Sequence, residues 1–135
     1  MTSRAAENSP LTQRVLEYER VMRGLVPSIE SPADWAPLED LVAIEGFERT
    51  GVFMEVQDWS QYKTMLTGWA RSIDSFESTL QRVTEYDRLV FYEIEEHHHR
   101  GDVVNVVNTM TVFEFDEVGK IRRLRVYLQQ PAPHA

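Results

Sequence analysis

Four runs of alternating apolar and polar residues, Ser78–Tyr86, Leu89–His99, Val103–Asp116 and Ile121–Gln129, fill the C-terminal part of the chain. The turns Arg100-Gly101-Asp102 and Glu117-Val118-Gly119-Lys120 join the last three. Connections that short suit antiparallel hairpins, because a parallel return needs a long crossover. The pattern predicts an up-and-down meander. Strands of ten or more residues exceed the usual length, and a sheet built from them must twist and coil. Such a sheet has a concave face that other elements must cover. Pro131 and Pro133 end the last strand.

The N-terminal part supplies the cover. Met1 to Asn8 is small and polar and reads as a loose tail, so the domain is expected over residues 10–130, flanked by tails 1–9 and 131–135. Ser9-Pro10 reads as a helix start, and Leu11, Val15, Tyr18, Met22 and Leu25 form one apolar stripe up to Pro27. Ser31-Pro32-Ala33-Asp34 repeats the signal before a short helix carrying Trp35, Leu38, Leu41 and Val42. Ala43 to Gln57 changes period and suggests two short strands around Arg49-Thr50-Gly51, with Val52, Met54 and Val56 facing inward. Asp58-Trp59-Ser60-Gln61 opens a third helix along Tyr62, Met65, Leu66, Trp69 and Ile73. Gly68 inside it suggests a close helix–sheet contact. Helices first and a meander after them predict an α+β domain: three N-terminal helices packed on a strongly curved antiparallel sheet, forming a cone. A concave interior of that kind suits small, mostly apolar ligands.

Composition narrows the partners. With 22 acidic against 14 basic residues and a net charge of −8, the chain lacks the basic surface that nucleic acid or anionic membranes require. There is no cysteine, which excludes disulfides, thiolate nucleophiles and cysteine zinc sites and suits the cytoplasm. No apolar run approaches a membrane span, and the N-terminus has no signal-peptide core.

The element order, together with Val112-Phe113-Glu114-Phe115-Asp116-Glu117-Val118-Gly119-Lys120-Ile121, Tyr127 and the Trp59–Trp69 helix after Gly51, resembles the nuclear-transport-factor-2-like superfamily. That group includes SnoaL-like polyketide cyclases, ketosteroid isomerases and limonene-epoxide hydrolases. The resemblance spans roughly Leu11 to Gln130 and implies the cone fold and a homodimer; no cofactor is expected. It does not carry the enzymes' catalytic residues. Where ketosteroid isomerases have an Asp before the penultimate-strand ending, this chain has Thr111, and their general base falls near Arg49. Limonene-epoxide hydrolases end on a Trp-Arg-Asp-Tyr element that here reads Leu124-Arg125-Val126-Tyr127. Their earlier Arg-x-Asp pair would fall near Glu93-Ile94-Glu95, where both charged residues are acids.

Chemistry must therefore come from other residues. Glu93, Glu95 and His97 share one strand face. Were that face inward, a buried carboxylate with His97 as partner would act as a general base. The same residues suit a solvated edge, and the opposite set, Tyr92, Ile94 and Glu96, would serve equally as the buried one. In His97-His98-His99 only His97 and His99 converge, and no further metal ligand is in sight, so no metal is expected. Asn105, Thr111 and Phe113 fall on one strand face and would orient a ligand or cover an open sheet. Tyr18, Tyr62, Trp69 and Tyr127, with Met54 from the hairpin, are candidate pocket walls or plain core, and Arg49 would bind an oxyanion or pair with Glu48 or Glu55. These residues predict a small-molecule enzyme using general acid–base chemistry on an apolar oxygenated substrate, by isomerisation, cyclisation, dehydration or epoxide opening. The alternative is a non-catalytic ligand-binding or dimerisation domain.

Overall fold

The computed structural model describes residues 9–132, so the expected tails lie almost wholly outside the described residues. Helix α1 spans Pro10–Leu25, and a 3-10 turn at Val26–Ser28 carries the chain around Pro27. The Thr12 N–H and hydroxyl both donate to Glu85 Oε1, at 2.8 and 2.9 Å. A carboxylate from a distant strand thus caps the first turn, where N–H groups lack helical partners and the helix dipole favours negative charge. Glu85→Ala is expected to cost about 1–2 kcal/mol, because Thr12 is fully buried and would keep an unpaired N–H. An unchanged urea midpoint would disprove the cap.

The second helix is shorter than its pattern suggested. A 3-10 turn at Pro32–Trp35 runs into α2, Ala36–Glu39. The Asp34 carboxylate accepts the Glu30 and Ser31 N–H groups, as the sequence signal requires. Helix α3, Trp59–Arg71, opens on a reciprocal box: Gln61 N–H donates to Asp58 Oδ1 at 2.8 Å, and Asp58 N–H to Gln61 Oε1 at 2.9 Å. Gly68 is exposed with open space at its missing Cβ, so the expected close approach to the sheet is absent there.

Strands β1 (Glu48–Thr50), β2 (Val56–Gln57), β3 (Ser75–Tyr86), β4 (Leu89–Arg100), β5 (Val103–Phe115) and β6 (Ile121–Gln129) form one six-stranded sheet. Its order is β2-β1-β6-β5-β4-β3, curved around the helices and not closed. Asp87 at φ 56 makes the tight β3–β4 turn, a left-handed position that Asp tolerates. Every pairing is antiparallel except β1 with β6, where Arg49 lies opposite Leu124. The parallel seam arises because the chain leaves the β1–β2 hairpin through α3 and returns to β1 only at the end of the meander. Residues 52–55 are a turn, not the strand their alternation suggested: Gly51 N–H donates to Glu55 O at 2.9 Å, and Met54 sits at φ 65. The core between helices and sheet centres on the fully buried Trp35, Leu38, Phe47, Val90, Phe115 and Ile121. Trp35 satisfies its indole N–H on Thr67 Oγ1 at 3.1 Å.

Candidate functional site

The concave face leaves a cavity of about 340 Å³ between α1, α3 and strands β4–β6. That volume lies at the small end of small-molecule sites. Its walls are mainly aromatic and aliphatic, with Met65, Trp69, Ile94, Phe113 and Leu124 among them. Three polar groups interrupt them.

The first stands on β4. Arg100 pairs with Val103 across the Gly101-Asp102 turn, and counting back places Glu96 opposite Val107 and His98 opposite Asn105. Even-numbered residues of β4 therefore face inward with the odd-numbered residues of β5. His98 Nε2 lies 2.8 Å from Glu96 Oε1, and the Thr109 hydroxyl donates to Glu96 Oε2 at 2.7 Å. Both side chains of the pair are 19% exposed. The His98 ring meets Trp69 edge-on at 5.7 Å between centroids. With Glu96 ionised, its oxygens only accept, so Nε2 carries the proton and neutral His98 keeps Nδ1 as the basic nitrogen.

The second group centres on Glu19 of α1. The single Ser78 hydroxyl proton is shared between the two Glu19 oxygens, 2.6 and 3.0 Å from Oγ, and the Tyr92 hydroxyl and Arg23 complete the set. This carboxylate is saturated and ties helix to sheet. The third group holds two phenols and a cation. The Tyr18 hydroxyl donates to Tyr62 at 3.4 Å, and the Arg49 guanidinium stands 5.1 Å from the centre of the Tyr62 ring. Because Tyr62 accepts from Tyr18, its own proton is left to donate. Burial pushes the Tyr62 phenol up, Arg49 pulls it back, and the charge of Glu96 adds to the rise. Burial likewise raises Tyr18.

These phenols couple folding to alkaline pH. Tyr18, Tyr62 and Tyr92 all titrate above the ordinary phenol value when folded, chiefly through burial. Below about pH 10 they are protonated in both states, and their contribution is fully present. Above it the unfolded chain loses protons first, so stability falls as pH rises. Urea midpoints from pH 9 to 11 should drop, and Tyr18→Phe should make the drop shallower. An equally steep drop in that variant would show that Tyr18 does not contribute.

The cavity brings together the candidate site residues Tyr18, Arg49, Tyr62, Trp69, Thr111 and Phe113, and of the two β4 faces weighed in the sequence it takes Tyr92, Ile94 and Glu96. Glu93, Glu95 and His97 are elsewhere. They point outward from the convex face, because the register that turns Tyr92 and Glu96 inward turns their odd-numbered neighbours out. Arg82 donates to both oxygens of Glu93 and holds its carboxyl below the usual range, the reverse of a burial-raised base. Glu95 meets His97 at 2.7 Å on that outer face, and His99 meets Glu77 at 2.8 Å. Tyr127 also faces outward, opposite Met110. Met54 is 82% exposed on the hairpin turn. Asn105 follows the inward alternation but lies exposed beyond the cavity lining. His98 and Glu19 were not anticipated. Counting the register back from the Gly101-Asp102 turn, with Phe113 and Phe115 taken as inward, would have found His98. Glu19 sits beside Tyr18 on the helix stripe, and only its partners on β3 and β4 explain its burial. No group of three or more His, Asp or Glu able to hold a metal occurs among the described residues, and no helix among them is long and apolar enough to cross a membrane.

No protein-family model and no curated protein sequence matches the chain. Solved structures do match it in shape. A putative SnoaL-like polyketide cyclase from Shewanella putrefaciens superposes with a TM-score of 0.72 at 9% identity, covering 93% of this chain and 84% of its own. A nuclear-transport-factor-2-like protein from Anabaena variabilis gives 0.70 at 15% identity, with 90% of each chain covered. An LEH-like epoxide hydrolase from M. tuberculosis gives 0.64 at 16% identity, covering 89% of this chain and 86% of its own.

Proposed function

We propose, for a chain whose fold is that of the nuclear-transport-factor-2-like superfamily, that the cavity is the active site of a small-molecule enzyme working by general acid–base catalysis. The observation that carries this reading is the Glu96–His98 pair, 2.8 Å apart and braced by Thr109, inside an otherwise apolar pocket. A carboxylate that orients an imidazole at the wall of an apolar pocket is the arrangement general-base sites use. SnoaL-like cyclases and an epoxide hydrolase share the fold, which fits the same class of chemistry.

The substrate is a small apolar molecule with a carbonyl group. Its body packs against Met65, Trp69 and Ile94, and its oxygen accepts a hydrogen bond from Tyr62. His98 takes a proton from the carbon next to the carbonyl. The electron pair of that C–H bond moves into an enolate, whose oxygen charge Tyr62 stabilises. Glu96 steadies the imidazolium formed. Where the substrate is a β,γ-unsaturated ketone the enolate extends over the double bond, and return of the His98 proton to the γ carbon completes an isomerisation. Where it carries a second carbonyl, the enolate carbon attacks that carbonyl, its π pair becomes an alkoxide, and the alkoxide takes the imidazolium proton to complete a cyclisation. The test is solvent-deuterium incorporation into a panel of small cyclic and aryl ketones, followed by NMR. Exchange above the buffer rate supports the reading. Ligands that bind but exchange no faster than in buffer would instead indicate a ligand-binding domain.

A further inference from the structure

We propose that the molecule this cavity accepts ends in a carboxylate, and that Arg49 is the residue that binds it. The proposal rests on reading the cavity as the substrate site, and adds the charge of the substrate to it. The Arg49 side chain is only 11% exposed. A guanidinium has five N–H donors. Of these, one from Nη1 reaches Gln57 Oε1 at 3.0 Å. The nearest carboxylate oxygen is Glu55 Oε2, 3.7 Å from Nη1, while Glu55 accepts the Phe53 N–H with its other oxygen at 2.9 Å. Arg49 Nε is buried with no hydrogen-bond partner. Behind the cation lies the face of Tyr62, at 5.1 Å. A cation held out of water beside a neutral amide, an aromatic ring and one loosely placed, part-exposed carboxylate is under-compensated.

The other charged groups of the cavity do not share this condition. Glu19 is saturated by Ser78, Tyr92 and Arg23. Glu96 has one oxygen on His98 and the other on Thr109. Arg49 is therefore the charged cavity residue with donors to spare. A neutral ligand oxygen would add one more neutral acceptor and leave the charge as it is. A carboxylate matches the planar fork of a guanidinium and supplies the missing charge. One cation in an apolar cavity of about 340 Å³ suits a singly charged group on a compact hydrocarbon body better than a doubly charged phosphate.

The experiment compares 2-naphthoate with 2-naphthamide, which match in shape and differ in charge, by calorimetric titration into the full chain at neutral pH. The acid is expected to bind about tenfold more tightly or better. Arg49→Gln should bring the two within about threefold of each other, and Arg49→Lys should keep part of the preference. Equal affinities in the unmodified protein, no binding of the acid, or an undiminished preference in Arg49→Gln would each overturn the proposal. If Arg49→Gln does not fold, the unmodified protein and Arg49→Lys decide it. A preference for the acid in a protein that exchanges no ketone protons would sink the acid–base reading alone. Exchange on ketones with no preference for the acid would sink this one alone.

Discussion

Glu96→Gln is expected to slow ketone proton exchange by about 10²–10⁴-fold with little change in the fold. The amide has the same shape, and it can meet its neighbours in two ways. With its oxygen toward His98, it keeps the Nε2 proton in place but loses the charge that stabilises the imidazolium. With its NH₂ toward His98, it forces the proton to Nδ1, and the basic nitrogen is lost. Either arrangement removes what the 2.8 Å contact provides. His98→Gln should fall at least as far. Glu93→Gln and Glu95→Gln alter only the convex face and serve as controls expected to keep the unmodified rate. A Glu96→Gln rate within about tenfold of the unmodified protein would remove this carboxylate from the mechanism.

The second large effect is on stability. Glu19→Ala should cost about 3–5 kcal/mol, which corresponds to a fall of roughly 10 °C or more in Tm. Glu19 is the shared acceptor for Ser78, Tyr92 and Arg23. Removing it strands the Tyr92 hydroxyl in the core, where the side chain is only 5% exposed, and leaves a cavity beside α1. Glu19→Gln still accepts one or two of those bonds and should lose about half as much. Combining Glu19→Ala with Tyr92→Phe should cost less than the sum of the two, since the stranded hydroxyl is gone. Additive losses, or a Glu19→Ala shift under about 2 °C, would show that this network does not tie helix to sheet.

The architecture was readable because each element announces itself locally. Pro10, the Asp58–Gln61 box and the Gly101-Asp102 turn act within a few residues of themselves, and period-two alternation marks strands wherever they end up. The side of the sheet is a different kind of information. Around β4 both faces carry acids and histidines, Glu93, Glu95 and His97 on one and Glu96 and His98 on the other. Alternation alone cannot say which face is inward, and only pairing with β5 breaks the tie. The hairpin misled for another reason. Val52, Met54 and Val56 alternate like a strand, but Gly51 and the left-handed Met54 make a turn that leaves Met54 in solvent. Glu19 and Glu85 were invisible as functional or structural acids because their partners are more than seventy positions away or on other elements.

The parallel seam between β1 and β6 divides the work of the pocket between two separately built parts. The acid–base pair belongs to the meander, whose long antiparallel ladders hold Glu96 and His98 in a fixed register. The cation belongs to a hairpin of five strand residues that meets the meander along three. Lengthening or reshaping the turn between β1 and β2 would move Glu55 and Gln57 against Arg49 and leave that register untouched. In such an arrangement, what the pocket selects and what it does to the molecule can diverge independently, one through a short peripheral loop and the other through the sheet itself.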